Sequence, residues 1–254
     1  FADDYMRTVE SLASSYNCGT IIIAADWGGS TFRQNIYPEY KGNRKEKYEK
    51  QTPAEAEAFQ KFIEEMERTL ALMDRRWCVL RFRGVEADDI AAHIVKNREK
   101  YEIDHIWLMS TDRDWDLLIN PNVSRFSYIN RKETTYENWS VNHNYSVEEY
   151  ITIKCLMGDS GDNVPGIPQI GPKRAEGLVK EFGNAFDIYD AAPFSSKYKY
   201  IQSLNENIDQ LLTNMELMDL LEYCDQALLD ADINLEDLSS TIYGYLDENR
   251  NRLQ

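Results

Sequence analysis

Ile106-Trp107-Leu108-Met109-Ser110-Thr111-Asp112-Arg113-Asp114-Trp115-Asp116 decides the architecture: an apolar run of strand length, closed by acids where the strand should end. The pattern recurs twice. Thr20-Ile21-Ile22-Ile23-Ala24-Ala25 leads into Asp26, and Cys78-Val79-Leu80-Arg81-Phe82 leads into Glu86, Asp88 and Asp89. In an open parallel sheet, ligands bind in the crevice at the carboxyl ends of the strands. Carboxylates crowded into one crevice repel each other and resist ionisation unless a cation neutralises them. Such oxygen-rich sites suit Mg²⁺ or Mn²⁺, and a pair of these ions is a recurrent device for phosphodiester hydrolysis.

Around these strands the spacing predicts an alternating β/α series. Its members are helix 3–16, buried strand 20–25, a basic, tyrosine-rich stretch 33–50, a long helix to about Asp74, strand 77–82, helix 87–99, strand 105–110, helix 114–119 and strand 123–129. Thr52, Pro53 and Glu55 read as N-cap, first helical residue and capping-box partner. Asn130-Arg131-Lys132 should turn the last strand into a hairpin with 133–136. Near residue 145 the character changes: Ser146 and Glu149 form a second capping box, and helices joined by Gly/Pro turns follow. The expected fold is α/β, a mostly parallel sheet flanked by helices over 1–145, followed by a helical region over 146–254.

The chain has 254 residues, enough for one large domain or a domain with an appendage. Cys18, Cys78, Cys155 and Cys224 are widely spaced, which argues against a zinc site or disulfide framework and fits a reducing cytoplasm. No apolar run approaches the ~20 residues that span a bilayer, and no signal peptide is visible. The net charge of −16 disfavours nucleic acid as a partner, but it is unevenly spread. Residues 205–254 hold 12 acids and 2 bases, a net of −10. Residues 33–50 hold six bases (Arg33, Lys41, Arg44, Lys45, Lys47, Lys50) against three acids, a net of +3. That segment fits phosphate contact, or a solvated helix face with pairs such as Glu46 with Lys50.

Each acidic motif has a plainer reading. Glu86, Asp88 and Asp89 open a helix, where acids complement the helix dipole without any metal. Asp112 could be a simple N-cap; with Asp114 at i,i+2 it makes a better metal pair, and Asp116 lies further in as a structural residue. The most specific stretch is Gly158-Asp159-Ser160-Gly161-Asp162-Asn163-Val164-Pro165-Gly166-Ile167-Pro168-Gln169-Ile170-Gly171-Pro172-Lys173-Arg174-Ala175. Turns at Gly166 and Gly171 bracket an apolar segment, and Lys173 and Arg174 follow. This is the pattern of a helix–hairpin–helix at about 158–180, whose backbone N–H groups meet a DNA phosphate without reading bases. His93, His105 and His143 show no ligand spacing; Tyr37, Tyr40 and Tyr48 could stack on bases or pack on the protein body.

Tyr40-Lys41-Gly42-Asn43-Arg44, Gly84-Val85-Glu86-Ala87-Asp88-Asp89, Ser110-Thr111-Asp112-Arg113-Asp114 and Gly158-Asp159-Ser160-Gly161-Asp162-Asn163 resemble, in order, the motifs of the 5′-nucleases, the flap endonucleases and 5′–3′ exonucleases. The resemblance covers nearly the whole chain and is nearest to the free-standing enzymes of tailed phages. It implies a first metal amid Asp26, Glu86, Asp88, Asp89 and Asp112, and a second amid Asp112, Asp114, Asp159 and Asp162. It implies that Lys41 and Arg44 act on the phosphate at the base of a helical arch over about 30–75. With Arg33, Tyr40, Gly166, Gly171, Lys173 and Arg174 they would contact DNA, and K⁺ could sit on carbonyls of the 163–171 loop. The implied activity is two-metal cleavage of DNA at 5′ flaps and duplex 5′ ends, RNA primers on DNA included, by a monomer in a bacterial or phage-infected cytoplasm. Family members begin with another strand ending in a metal-binding Asp, whereas this chain opens at Phe1 with the helix that should follow it. About 40 preceding residues are therefore expected, their strand lying between 20–25 and 106–110. Two rivals stay open: a PIN-type nuclease that cuts RNA, which leaves the 158–175 motif unexplained, and a DNA-binding scaffold with a broken site.

Overall fold

The computed structural model describes residues 1–253, and the side chains of all of these except 45, 46, 252 and 253. The expected Glu46–Lys50 pair therefore lies outside the described residues. The chain opens with α1 (Ala2–Ser15), β1 (Ile22–Ala24), α2 (Thr31–Ile36), α3 (Gly42–Glu49), α4 (Pro53–Met73), β2 (Cys78–Leu80), α5 (Ala87–Lys96) and β3 (Ile106–Met109). A 3₁₀ helix (Arg113–Leu118), β4 (Val123–Ser127), β5 (Lys132–Thr134), α6 (Trp139–Asn142), α7 (Val147–Met157), β6 (Gly158–Asp159) and β7 (Val164–Pro165) follow. The remainder is helical: α8 (Pro172–Phe182), α9 (Ala185–Ala191), α10 (Lys199–Glu206), α11 (Ile208–Met218), α12 (Leu220–Leu229) and α13 (Leu235–Leu253). Both expected capping boxes form, at Thr52 with Glu55 and at Ser146 with Glu149. The segment expected as an α-helix over 114–119 is 3₁₀ instead. Asp112 Oδ1 closes its first turn on the Asp114 N–H at 2.9 Å, and Pro121 keeps Asn120 from extending the helix.

The residues form two compact units that interleave along the sequence. The first comprises Phe1–Phe32, Arg44–Trp107 and the chain from Cys224 onward. In it β1 and β2 run parallel, Ile22 opposite Cys78 and Ala24 opposite Leu80. β1 is only half-buried, less enclosed than its isoleucine run predicts, because among the described strands it pairs along one edge, with β2. The core sets Leu80, Val85, Ile90, Ile94 and Tyr101 against Leu228, Leu238, Ile242 and Leu246 of α12 and α13. The acidic tail thus has a full apolar face, and burying such side chains is worth about 1.5–3 kcal/mol each.

The second unit comprises Arg33–Asn43 and Leu108–Tyr223. β4 and β5 form the expected antiparallel hairpin, and β3 borders β4. Asp116 and Arg125 are 3 % and 6 % exposed and make a bidentate pair at 2.5 and 3.0 Å, which confirms Asp116 as structural. α7, β6, β7 and α8 enclose Leu156, Val164, Ile167, Ile170 and Ala175, so the 158–180 stretch is built as helix, tight hairpin and helix. All four cysteines are free thiols. Among the described residues no helix is long and apolar enough to cross a membrane.

Candidate metal centre and nucleic-acid interface

In the first unit, β1 delivers Asp26 to the loop beside α5. Its Oδ1 accepts the Ala87 N–H at 2.6 Å, capping α5 from a distant segment, because Glu86 at the N-cap position makes no side-chain cap bond. This holds Asp26 against the turn that carries Asp88 and Asp89. Glu86 and Asp89 are buried, while Asp26 is exposed. Arg81 fixes the same loop: its Nε donates to the Asp26 carbonyl at 2.9 Å, and its two Nη groups grip Glu67 of α4 at 2.7 and 2.6 Å. Gly84 has φ +79°, and a Cβ there would lie 2.2 Å from Thr31 Oγ1, so this turn requires glycine.

In the second unit, carboxylates from two motifs share one cation. Lys154 Nζ lies 3.0 Å from Asp114 Oδ1 and 2.6 Å from Asp159 Oδ2. Asp159 Oδ1 also accepts the N–H groups of Gly161 and Asp162 at 2.8 and 3.2 Å. Burial pushes the Asp159 carboxyl up, but Lys154 and those two N–H groups outweigh it and hold the acid below the usual range. Asp114 has Lys154 alone; burial dominates there, the charges of Asp112 and Asp159 add to it, and its carboxyl is raised. Burial works against the Lys154 charge, yet the two carboxylates raise the ammonium above its ordinary value. Asp162 Oδ2 accepts the Tyr40 hydroxyl at 3.1 Å and lies 3.6 Å from Lys41 Nζ. The Lys41 N–H donates to the Asp162 carbonyl, and Asn43 Nδ2 to the Ser160 carbonyl at 3.0 Å. The basic turn at 40–43 is thereby fastened to the acidic loop at 159–163.

The hairpin is closed by necessity at two glycines. A Cβ on Gly158 would lie 2.2 Å from the Gly166 nitrogen, and one on Gly166 would lie 2.1 Å from the Met157 carbonyl oxygen. Gly171, the N-cap of α8, meets nothing within 4 Å, so the fold does not require its lack of a side chain. Gly171, Lys173 and Arg174 are exposed. Arg174 Nη1 donates to the Gln169 carbonyl at 2.5 Å, and its guanidinium lies 4.7 Å from the Tyr200 ring centre.

Two of the expected DNA contacts are placed differently. Arg33 is 2 % exposed and donates from Nε to the Leu217 carbonyl at 2.8 Å, so it braces the second unit and has no face for a phosphate. Tyr40 belongs to that unit's core, with its hydroxyl on Asp162, and cannot stack on a base. Tyr37 packs on the same core, whereas Tyr48 is exposed and meets Phe59 at 5.2 Å between ring centres. Arg44 is exposed. His93 is a core residue, held by Asp225 at 2.7 Å and Tyr101 at 3.1 Å. Among the described residues no three His, Cys, Asp or Glu stand close enough to hold a metal ion. The donors are nonetheless hard oxygens, and Asp114, raised by burial beside Asp112 and Asp159, is an acid that an added cation would relieve. Lys154 escaped the sequence reading; its signal is a lone cation late in an apolar helix, five residues before Asp159.

Comparison with known proteins agrees with this layout. Residues 3–146 match the model of the 5′–3′ exonuclease N-terminal resolvase-like domain, and 145–241 that of the 5′–3′ exonuclease C-terminal SAM fold. The flap endonuclease of Escherichia phage T5 is 44 % identical over 229 residues, 90 % of this chain and 78 % of that protein. A crystal structure of the T5 protein co-crystallised with metal ions superposes with a TM-score of 0.90 at 41 % identity, covering 98 % of this chain and 92 % of that one. The T5 flap endonuclease in a pseudo-enzyme–product complex with DNA and metal ions gives the same score and identity over 98 % and 90 %. By its two domain matches and its identity to the phage protein, the chain belongs to the 5′–3′ exonuclease family and is a nuclease.

Proposed function

We propose that this nuclease hydrolyses DNA phosphodiesters at 5′ flaps and duplex 5′ ends, RNA primers on DNA included, with two Mg²⁺ or Mn²⁺ ions. The observation that carries the reading is Lys154, whose ammonium joins Asp114 of one motif to Asp159 of another and so marks a place built for positive charge. The T5 enzyme's crystallisation with metal ions and with DNA supports it. Asp26, Glu86, Asp88 and Asp89 would hold the first ion, Asp114, Asp159 and Asp162 the second, and Asp112 is assigned to both by its motif. Divalent ions at such carboxylates activate water and offset the charge that grows on the leaving oxygen.

The chain's own residues supply the rest. Lys41, fixed by its backbone on Asp162, brings an ammonium to the acidic loop, and Arg44 adds a second charge for the phosphate. The open N-terminus of α8 at Gly171, with Lys173 beside it, offers N–H groups and charge to a duplex phosphate without reading sequence. The carboxylates of the first ion, Lys41, Arg44, Asp112 and Asp114 would thus precede residue 145, and the duplex grip would follow it together with Asp159 and Asp162 of the second ion. A K⁺ ion would sit on carbonyls of the 163–171 loop, where Arg174 already occupies that of Gln169. The protein would act as a monomer in a bacterial or phage-infected cytoplasm.

The test is cleavage with Mg²⁺ of a 5′-flap, a blunt duplex and an RNA–DNA hybrid. The flap should be cut, and Asp112→Asn should abolish cutting while flap binding in Ca²⁺ persists. Equal rates for Asp112→Asn and the unmodified protein would sink the metal assignment; cutting of RNA alone would favour the PIN-type rival.

A further inference from the structure

We infer that Trp27, with Arg81 and Arg83, forms a stacking platform beside Asp26 that takes an unpaired nucleobase of the substrate strand next to the phosphate being cut. The inference rests on the nuclease reading and adds a binding element to it. Of the tryptophans, all within the described residues, Trp27 alone is exposed, at 44 %. A single exposed apolar side chain needs no explanation. Three further observations separate this one from that rule.

The backbone of Trp27 is held in place. It follows Asp26 directly, and its carbonyl accepts the Gly84 N–H at 3.0 Å. The Gly84 carbonyl in turn accepts the Thr31 N–H at 2.9 Å, in the turn that only glycine can make. On the other side of the loop, Asp26 is fixed by Ala87 and Arg81. A ring on so constrained a backbone loses little further freedom when a ligand settles on it.

The ring also lies amid positive charge. The Arg81 and Arg83 guanidinium carbons stand 5.2 and 5.4 Å from its centre. Arg81 is committed to Glu67, whereas Arg83 is exposed and has no carboxylate partner among the described residues. In a chain of net charge −16, an unpaired arginine on an exposed indole suits an anionic, aromatic ligand. The ring stands clear as well. Gly28 and Gly29 follow it without side chains, Gly28 at φ +85° with open space where a Cβ would be.

A nucleic-acid strand meets these demands, with the base on the indole and its phosphate toward Arg83. A base inside a duplex already has both faces stacked, so the occupant is an unpaired nucleotide. Trp27 follows Asp26 directly, with adjacent Cα atoms about 3.8 Å apart, so the base lies close to the phosphate served by Asp26.

The test uses 5′-flap DNA carrying 2-aminopurine at single positions flanking the junction, bound to the full chain in Ca²⁺. At one position the unmodified protein should quench the fluorescence. Trp27→Ala should lose that quench and bind about tenfold more weakly, and Trp27→Phe should keep most of both. Arg83→Gln should weaken binding and lower its salt dependence while the quench remains. Circular dichroism should show the same melting for Trp27→Ala as for the unmodified protein. If the unmodified protein cuts the flap with Mg²⁺ but quenches at no position, or Trp27→Ala keeps the quench, the platform is overturned and the nuclease reading stands. If the unmodified protein neither binds nor cuts the flap, both fall.

Discussion

Lys154→Met isolates the role of the shared ammonium, because methionine keeps most of the volume and removes the charge. The Lys154 side chain is 11 % exposed, and it serves Asp114 at 3.0 Å and Asp159 at 2.6 Å, whose side chains are 27 % and 24 % exposed. Removing one partner of a fully buried pair costs about 3–5 kcal/mol. With the carboxylates about a quarter in solvent, screening reduces this to roughly 2–3 kcal/mol. For a protein of this size each kcal/mol moves the midpoint by about 2–4 °C, so melting in EDTA should fall by about 4–12 °C. A divalent ion at 100 times its dissociation constant returns about 2.7 kcal/mol. In the unmodified protein an ion must first displace Lys154 from these carboxylates, whereas in Lys154→Met it finds them free. Melting followed by circular dichroism, in EDTA and in millimolar Ca²⁺, should therefore show a larger ion-induced gain in the variant. A variant that melts like the unmodified protein in EDTA, or gains no more from Ca²⁺, would refute the idea that Lys154 stands in for a metal charge.

Lys41→Ala should lower single-turnover cleavage by about 10²-fold, the scale for one lost electrostatic stabiliser, with much less change in flap binding in Ca²⁺; a loss confined to affinity would make it a docking residue. Asp116→Ala strands the Arg125 charge and should cost about 3–5 kcal/mol in denaturant unfolding, while Asp116→Leu with Arg125→Met should recover most of it. A double variant as unstable as the single one would contradict the pair's assignment. Burial pushes the Asp225 carboxyl up, but His93 and Lys96 outweigh it and hold the acid below its ordinary value. Its folded pKa thus lies below the unfolded one, so its contribution is full above about pH 5 and lost as pH falls through the folded value. Asp225→Asn should flatten the fall in melting temperature between about pH 5 and pH 3, and an unchanged slope would discount this linkage.

What the sequence makes legible is local. Thr52 with Glu55 and Ser146 with Glu149 are written within four residues, so the starts of α4 and α7 can be read directly. Asn184 with Asp187 does the same for α9 in less distinctive letters. The acids at strand ends are legible as a pattern, but which of them share a cation is a distance. Lys154 finds Asp114 forty residues upstream, and no periodicity announces it. Arg33 looks like a phosphate contact because its neighbours are basic, yet its acceptor, Leu217, lies 184 residues away. Gly166 is legible as a turn and close backbone approach requires it, but the same approach makes Gly158 necessary without any sign in the sequence, and Gly171, equally legible as a turn, meets nothing. The return of the chain to the first unit from Cys224 onward cannot be read, since its apolar face fits any partner.

That return makes folding order differ from synthesis order. Leu80, Val85 and Ile90 are translated long before Leu238, Ile242 and Leu246, which complete their core. Until those side chains leave the ribosome, the strands that present Asp26 and Glu86 have one wall missing, and such long-range closure is slow. The second unit, whose later stretch runs without interruption from Leu108 to Tyr223, needs nothing translated after Tyr223. A nascent chain stalled before Leu238 would hold its hairpin folded and its first carboxylate group unfinished, so the capacity to grip a duplex would arise before the capacity to cut it.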